Sequence, residues 1–290
     1  MKNIFKILIV LFILFLLFTD RDNLVYSSLQ SIELFNKTIF SSIFPIMILS
    51  DFILSTKLIN ILSNSLGNFF SKLFKCSKCS IYPFIMSCLC GTPSNAKYVY
   101  DLLKNKSITI KEAEKLLSMC MLYNPLLIVS LTKYLKFRDS ILIVVTNIII
   151  NIFIGIINRN YKIEMKNCII TPKKFNLVNS ISNSMNSLLS ILGIIVLFNI
   201  INNLLPLKHP LITGIFEITN GLNLIGLANV SYRNKFIYTT ILLSFGGLSI
   251  ITQIKSIFKN EYTFNYSLFY KSRIIHLILF IIFSYILLLM

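Results

Sequence analysis

Five stretches of this chain, 4–18, 38–54, 139–157, 187–205 and 273–290, are mostly apolar and near the ~20 residues that an α-helix needs to cross a bilayer. In hydrocarbon every backbone N–H and C=O must find a partner inside the protein, which leaves helices and closed barrels as the spanning structures. Continuous apolar runs of this length read as membrane-spanning helices. Hydrophobic residues make up 55% of the 290 and charged residues 13%, against roughly 25% charged in an ordinary soluble domain. The mean hydropathy of +0.76 is too high for one soluble core to hide. The sequence predicts an all-α polytopic membrane protein, with lipid as its first partner.

The chain carries 28 Lys and Arg against 11 Asp and Glu, a formal net charge of +17. In a soluble protein that excess would suggest nucleic acid. Here the basic residues fall mainly between apolar runs, where positive-inside topology and anionic headgroups account for them, and no nucleic-acid partner is expected. Lys2 and Lys6 stand at the start of the first stretch and Asp20-Arg21-Asp22 follows it, with no small-x-small cleavage site. An uncleaved helix with its N-terminus in the cytoplasm is expected. The connection 159–174 holds Arg159, Lys162, Lys166, Lys173 and Lys174 with Glu164 as its lone acid, and is cytoplasmic by the same rule. The segment beginning near Asn36 then starts outside and the one beginning near Phe175 starts inside. Halves that enter from opposite sides are the arrangement of an inverted repeat. The expected organisation is an N-terminal membrane helix and connection over 1–35, a first repeat over 36–158, the basic loop 159–174, and a second, inverted repeat over 175–290.

Each half also contains a glycine break. The apolar run 81–89 stops at Cys90-Gly91-Thr92-Pro93-Ser94-Asn95-Ala96-Lys97, and 236–243 stops at Ser244-Phe245-Gly246-Gly247-Leu248-Ser249, with Gln253 beyond. Aligning Gly91 with Gly247 brings Lys97 onto Gln253. Paired, interrupted segments at matching places in two halves point to a transporter site. A helix restarting after Pro93 presents free N–H groups and a positive dipole end. Pro93 suits its first position, Thr92 or Ser94 can cap it, and Ser249 can do the same after Gly246-Gly247. Two such ends opposed across the midplane form an anion-attracting pocket. Lys97, one turn inside, either meets a bound carboxylate or snorkels to the surface. Gln253 suits a neutral or an anionic ligand equally.

Two further interruptions carry polar groups. Asn124-Pro125 breaks 116–131, and Glu217 with Thr219-Asn220-Gly221 breaks 211–227. A carboxylate at membrane depth is expensive and is usually functional or paired. Gly91, Thr92, Pro93, Ser94, Asn95, Lys97, Asn124, Glu217, Thr219, Asn220, Gly246, Gly247, Ser249 and Gln253 make up the expected substrate-binding set. Asp51 reads as an interfacial cap near Lys57, and His209 and His276 as interfacial residues. Thr109-x-x-Glu112 reads as a capping box that opens an amphipathic helix. Cys76-x-x-Cys79 stands without a second pair or a His at ligand spacing, so no metal is expected. Cys88, Cys90 and Cys120 read as small core residues. No G-x-S-x-G, Walker loop or H-E-x-x-H occurs. The chain is expected to be neither an enzyme nor a cofactor binder, and any transport is passive or driven by an ion gradient.

Three stretches, in order and spacing, carry a resemblance: Gly91-Thr92-Pro93-Ser94-Asn95-Ala96-Lys97 with 110–117 and Asn124-Pro125-Leu126; Phe216-Glu217-Ile218-Thr219-Asn220-Gly221; and Ser244-Phe245-Gly246-Gly247-Leu248-Ser249. From about Asn36 to the C-terminal residue the chain resembles the YlbJ, or SpoVV, sporulation integral membrane proteins. These belong to a wider group with "nucleoside recognition" gate domains, itself similar to concentrative nucleoside transporters. The resemblance implies a membrane protein of an endospore-forming bacterium that moves dipicolinate across the outer forespore membrane, with Lys97 pairing one carboxylate of this small dianion. It leaves open a coupling ion, a homo-oligomer or sporulation membrane partners. The other readings are a nucleoside-type transporter and a non-transporting scaffold for a sporulation complex.

Overall fold

The computed structural model describes residues 18, 21–56, 58–166, 174–204, 209–258 and 262–289. The first expected span, 4–18, lies outside them apart from Phe18, as do Lys57, Cys168 and Lys173. The described residues are helical, without strands, and five helices among them are long and apolar enough to cross a bilayer: Arg21–Ile53, Phe137–Asn160, Leu177–Asn203, Tyr232–Phe258 and Ser267–Leu288.

Span one begins well before the expected 38 and takes in much of the stretch read as a connection. It consists of α1 (Arg21–Leu34), a π-helical segment (Phe35–Phe40) and α2 (Ser41–Ser55). α1 looks too polar for this in sequence, but its serines turn inward on the helix. Ser27, Ser28 and Ser31 donate to the carbonyls four residues back at 2.6, 2.9 and 2.7 Å. Such back-bonding removes a hydroxyl's need for water. Two short helices, α3 (Leu58–Ser65) and α4 (Gly67–Phe74), lead to α5 (Ile81–Cys90) and α6 (Ser94–Lys104), which pack against each other as a hairpin turning at Gly91-Thr92-Pro93. Next, α7 (Ile110–Met119) and α8 (Pro125–Leu131) form a helix unwound between them, and α9 (Phe137–Ile157) returns.

After the connection the order recurs. A long helix, α10 (Leu177–Leu204), leads to a packed hairpin, α11 (Pro210–Phe216) and α12 (Ile218–Leu227), turning at Glu217. A broken helix follows, α13 (Tyr232–Phe245) and α14 (Gly247–Phe258), and then α15 (Ser267–Leu289). This order corrects the sequence alignment. The Gly91 break is a hairpin turn and corresponds to Glu217, while Gly246-Gly247 interrupts a continuing helix and corresponds to the unwound 120–124. The Gly91 turn and the Gly246-Gly247 pass-through are both glycine-bearing gaps in an apolar run, and sequence alone does not separate the two.

Contacts sort the connections into two ends. Lys75 Nζ to Asn160 Oδ1 at 2.9 Å, Lys166 N to Ser77 Oγ at 3.0 Å and Asn265 N to Glu114 Oε1 at 2.7 Å gather 75–80, 104–114, 158–166 and 262–266 at one end, rich in lysine. At the other, Lys136 N meets Tyr232 Oη at 3.0 Å and Lys235 Nζ meets the Gly226 carbonyl at 2.8 Å. The first hairpin opens toward the lysine-rich end and the second toward the opposite end.

The stretch read as an amphipathic helix is buried instead. Thr109 Oγ1 does accept from Glu112 N, at 3.3 Å, but Glu112 faces inward and accepts from Ser77 N at 2.5 Å and from the Ser77 and Ser80 hydroxyls at 2.8 Å each. Lys115 donates to the carbonyls of Phe74 at 2.5 Å and of Lys75 and Arg159 at 3.1 Å each. Glu112→Ala strands three buried donors, and thermal unfolding of the purified protein is expected to show a loss of about 3 kcal/mol; an unchanged midpoint would contradict this packing.

Apolar packing falls into two clusters. Phe35, Ile39, Ile43 and Met47 of the first span meet Leu188, Ile191 and Ile195 of α10 and Leu127 of α8. The hairpins, broken helices, α9 and α15 share the larger core.

Candidate functional site

All four interruptions meet beside this first-span and α10 pair. Gly91 has φ +73° and lies on the unwound segment, where a Cβ would collide with the Asn124 nitrogen and come within 2.8 Å of the Tyr123 carbonyl carbon. Thr92 donates from N at 2.7 Å and from Oγ1 at 2.8 Å to the Leu122 carbonyl. Asn95 Nδ2 donates to the Cys120 carbonyl, and Asn151 Nδ2 of α9 to that of Met121 at 3.3 Å. The carbonyls freed by unwinding therefore find donors, as a break in hydrocarbon requires. In the second half a Cβ on Gly247 would lie 3.2 Å from the Gly214 carbonyl oxygen and 3.4 Å from the Ile218 nitrogen. A Cβ on Gly246 would reach Met121 and lie 3.0 Å from Tyr123 Oη. Each hairpin turn thus rests on the break of its own broken helix, and the two breaks touch.

Between them lies a cavity whose polar lining is Thr92, Tyr123, Glu217, Thr219 and Gln253, closed on the far side by Ile39, Ile43, Ile191 and Ile195. It offers about 30 Å³ to solvent, room for a water or two, so this conformation is shut to an organic molecule. Glu217 is 1% exposed. Its Oε2 accepts from Thr219 Oγ1 at 2.5 Å and Asn220 N at 2.7 Å, so the carboxylate caps α12 at the positive end of its dipole. Asn220 Nδ2 continues to Asn199 Oδ1 of α10 at 3.0 Å.

Caps fall elsewhere than the sequence suggests. The Thr92–Pro93 bond is cis and Pro93 occupies the N-cap position of α6, which has no side-chain cap. Thr92 is engaged with Leu122, and Ser94 Oγ and Ser249 Oγ are buried without partners. Asn124 caps α8, accepting from Leu126 N at 2.8 Å and Leu127 N at 3.3 Å, while its Nδ2 and Tyr123 Oη lack partners.

Lys97 is not brought to this cavity. Its Nζ lies 3.6 Å from Asp51 Oδ1, and both line a separate crevice of about 290 Å³ with Asp101, Lys174, Asn179 and Ser180, between the first hairpin, α2 and α10. Asp51 also accepts from Ser180 Oγ at 2.8 Å and is a bridge between helices, not an interfacial cap. His209 does sit exposed at the N-cap of α11, but His276 is fully buried, 3.2 Å from Asn147 Nδ2. Tyr123, Asn151 and Arg273 are polar groups of the interior that sequence reasoning missed. For Asn151 the signal is a polar residue inside an apolar helix and for Tyr123 its place beside the Asn124-Pro125 interruption, while for Arg273 it was masked by its place at the edge of a hydrophobic run.

Among curated proteins the chain is similar to the Bacillus subtilis protein named sporulation integral membrane protein YlbJ, at 24% identity over 283 residues, covering 80% of this chain and 69% of that one. No protein-family model matches, and no solved structure matches. The likeness and the five long apolar helices agree on a multi-pass integral membrane protein.

Proposed function

We propose that this protein moves a small organic anion, dipicolinate, across the outer forespore membrane, with the substrate passing where the hairpin turns and helix breaks meet. The observation that carries the reading is that convergence: two hairpins open toward opposite ends, and both turn at one cavity bounded by two broken helices. An inverted pair of such elements around a midplane site suits alternating access. The name of the Bacillus subtilis relative supplies the sporulation context. The lysine-rich end is the cytoplasmic one by the positive-inside rule, the substrate crosses unaltered, and passage is passive or coupled to an ion.

One observation favours a second reading. Among the described residues no cation lines the cavity: its polar residues are Thr92, Tyr123, Glu217, Thr219 and Gln253, with Lys97 elsewhere, a set that also fits a neutral nucleoside. Flux into liposomes carrying the purified protein separates the two. Dipicolinate uptake with little uridine uptake is the expected result. Uridine uptake alone would move the assignment to a nucleoside, and no flux of either under several ion gradients would leave a scaffold for a sporulation complex.

A further inference from the structure

We propose that Arg273 and His276 of α15 form an anion-binding site inside the helix bundle, behind the unwound segment of the first broken helix. Arg273 lies six residues into α15, about 9 Å along its axis, and is 4% exposed. A guanidinium there needs a compensating negative charge, because an uncompensated ion costs several kcal/mol to bury. Nη2 donates to the Ser118 carbonyl at 3.0 Å and to Asn151 Oδ1 at 3.1 Å, and the Phe269 ring lies 5.8 Å from the guanidinium carbon. Nε and Nη1 have no partner. No carboxylate among the described residues forms an ion pair with it. The C-terminal end of α7, which supplies the Ser118 carbonyl, offers only about half a negative charge.

His276 stands one turn further along the same face. Its Nε2 meets the Asn147 amide at 3.2 Å and its Nδ1 has no partner. With the amide nitrogen donating to Nε2, the hydrogen bonds assign the ring hydrogen to Nδ1. Every unmet atom of this pair is then a donor. Water would satisfy the hydrogen bonds and leave the charge; an anion answers both. Asn151 links the site to the unwound segment, since its Oδ1 accepts from Arg273 and its Nδ2 donates to the Met121 carbonyl, two residues before Tyr123, which lines the cavity with its hydroxyl unpartnered.

The occupant is a small acceptor-only anion, which has two sources: a carboxylate of the transported substrate or a resident halide. This deepens the transport reading and rests on it only for the first source. Purified protein in gluconate buffer is titrated separately with chloride and with dipicolinate while thermal unfolding is followed. Saturable stabilisation by chloride supports a resident halide, and stabilisation by dipicolinate alone supports the substrate carboxylate. Lys97→Ala is expected to keep the wild-type dose dependence, and Arg273→Gln to weaken it about tenfold to a hundredfold, as for loss of a charge-assisted hydrogen bond. Where Arg273→Gln does not purify, Arg273→Lys takes its place, with about tenfold weakening expected from the lost fork. Stabilisation by neither anion, or equal stabilisation in the Arg273 variants, overturns the site. Absent flux with anion stabilisation intact would sink the transport reading and leave the site; flux with stabilisation indifferent to Arg273 would do the reverse.

Discussion

Gly91→Ala is expected to cost about 3 kcal/mol or more and to leave little monodisperse protein in detergent. Gly91 holds φ +73° and ψ −178°, a region essentially reserved for glycine. A Cβ there would also drive into the backbone of Tyr123 and Asn124, which cannot retreat without breaking the bonds from Thr92 to Leu122. Gly193→Ala is the control, since nothing lies within 4 Å of its added Cβ, and its elution profile should match the wild type. If Gly91→Ala is as stable as that control, the first hairpin does not turn against the unwound segment as described.

Glu217→Gln is expected to fold like the wild type and to lose gradient-driven dipicolinate uptake by about tenfold or more, the size of a lost charge-assisted interaction. The amide oxygen can still cap α12 through Asn220 N, so the hairpin survives. What changes is the charge of a residue that lines the cavity. A dianion and a carboxylate do not share a low-dielectric space without a positive charge between them, so a proton or metal cation is expected to reach Glu217 with the substrate. Glu217→Ala should in addition lose about 1 kcal/mol from the missing cap. Gradient-driven uptake undiminished in Glu217→Gln would reduce the residue to a structural cap.

The spans and the breaks were legible because both are local. Apolar length marks 139–157 and 187–205, and Gly91, Asn124-Pro125, Glu217 and Gly246-Gly247 each interrupt a hydrophobic run. Their pairing was not legible. Whether a break reverses the chain or lets it continue depends on which arms pack together, and that is set by distant elements such as α9 and α15. Polar residues misled in both directions. The serines of α1 disguised a membrane helix by bonding to their own backbone, and Glu112 and Lys115 read as part of an amphipathic helix although serines and carbonyls 32 to 44 residues away enclose them. Lys97 had the right spacing from a helix start to meet a carboxylate, but its partner is Asp51, which spacing within one helix does not reveal.

The claim that the substrate passes through the cavity between the hairpin turns is tested most directly by Gln253→Cys, in a background with the native cysteines replaced, labelled in sealed vesicles with a membrane-impermeant thiol reagent. Labelling from the lysine-rich side and, in separate samples, from the opposite side, each slowed by dipicolinate, is the predicted result. A thiol that reacts from neither side, or one whose reaction dipicolinate leaves unchanged, would contradict it.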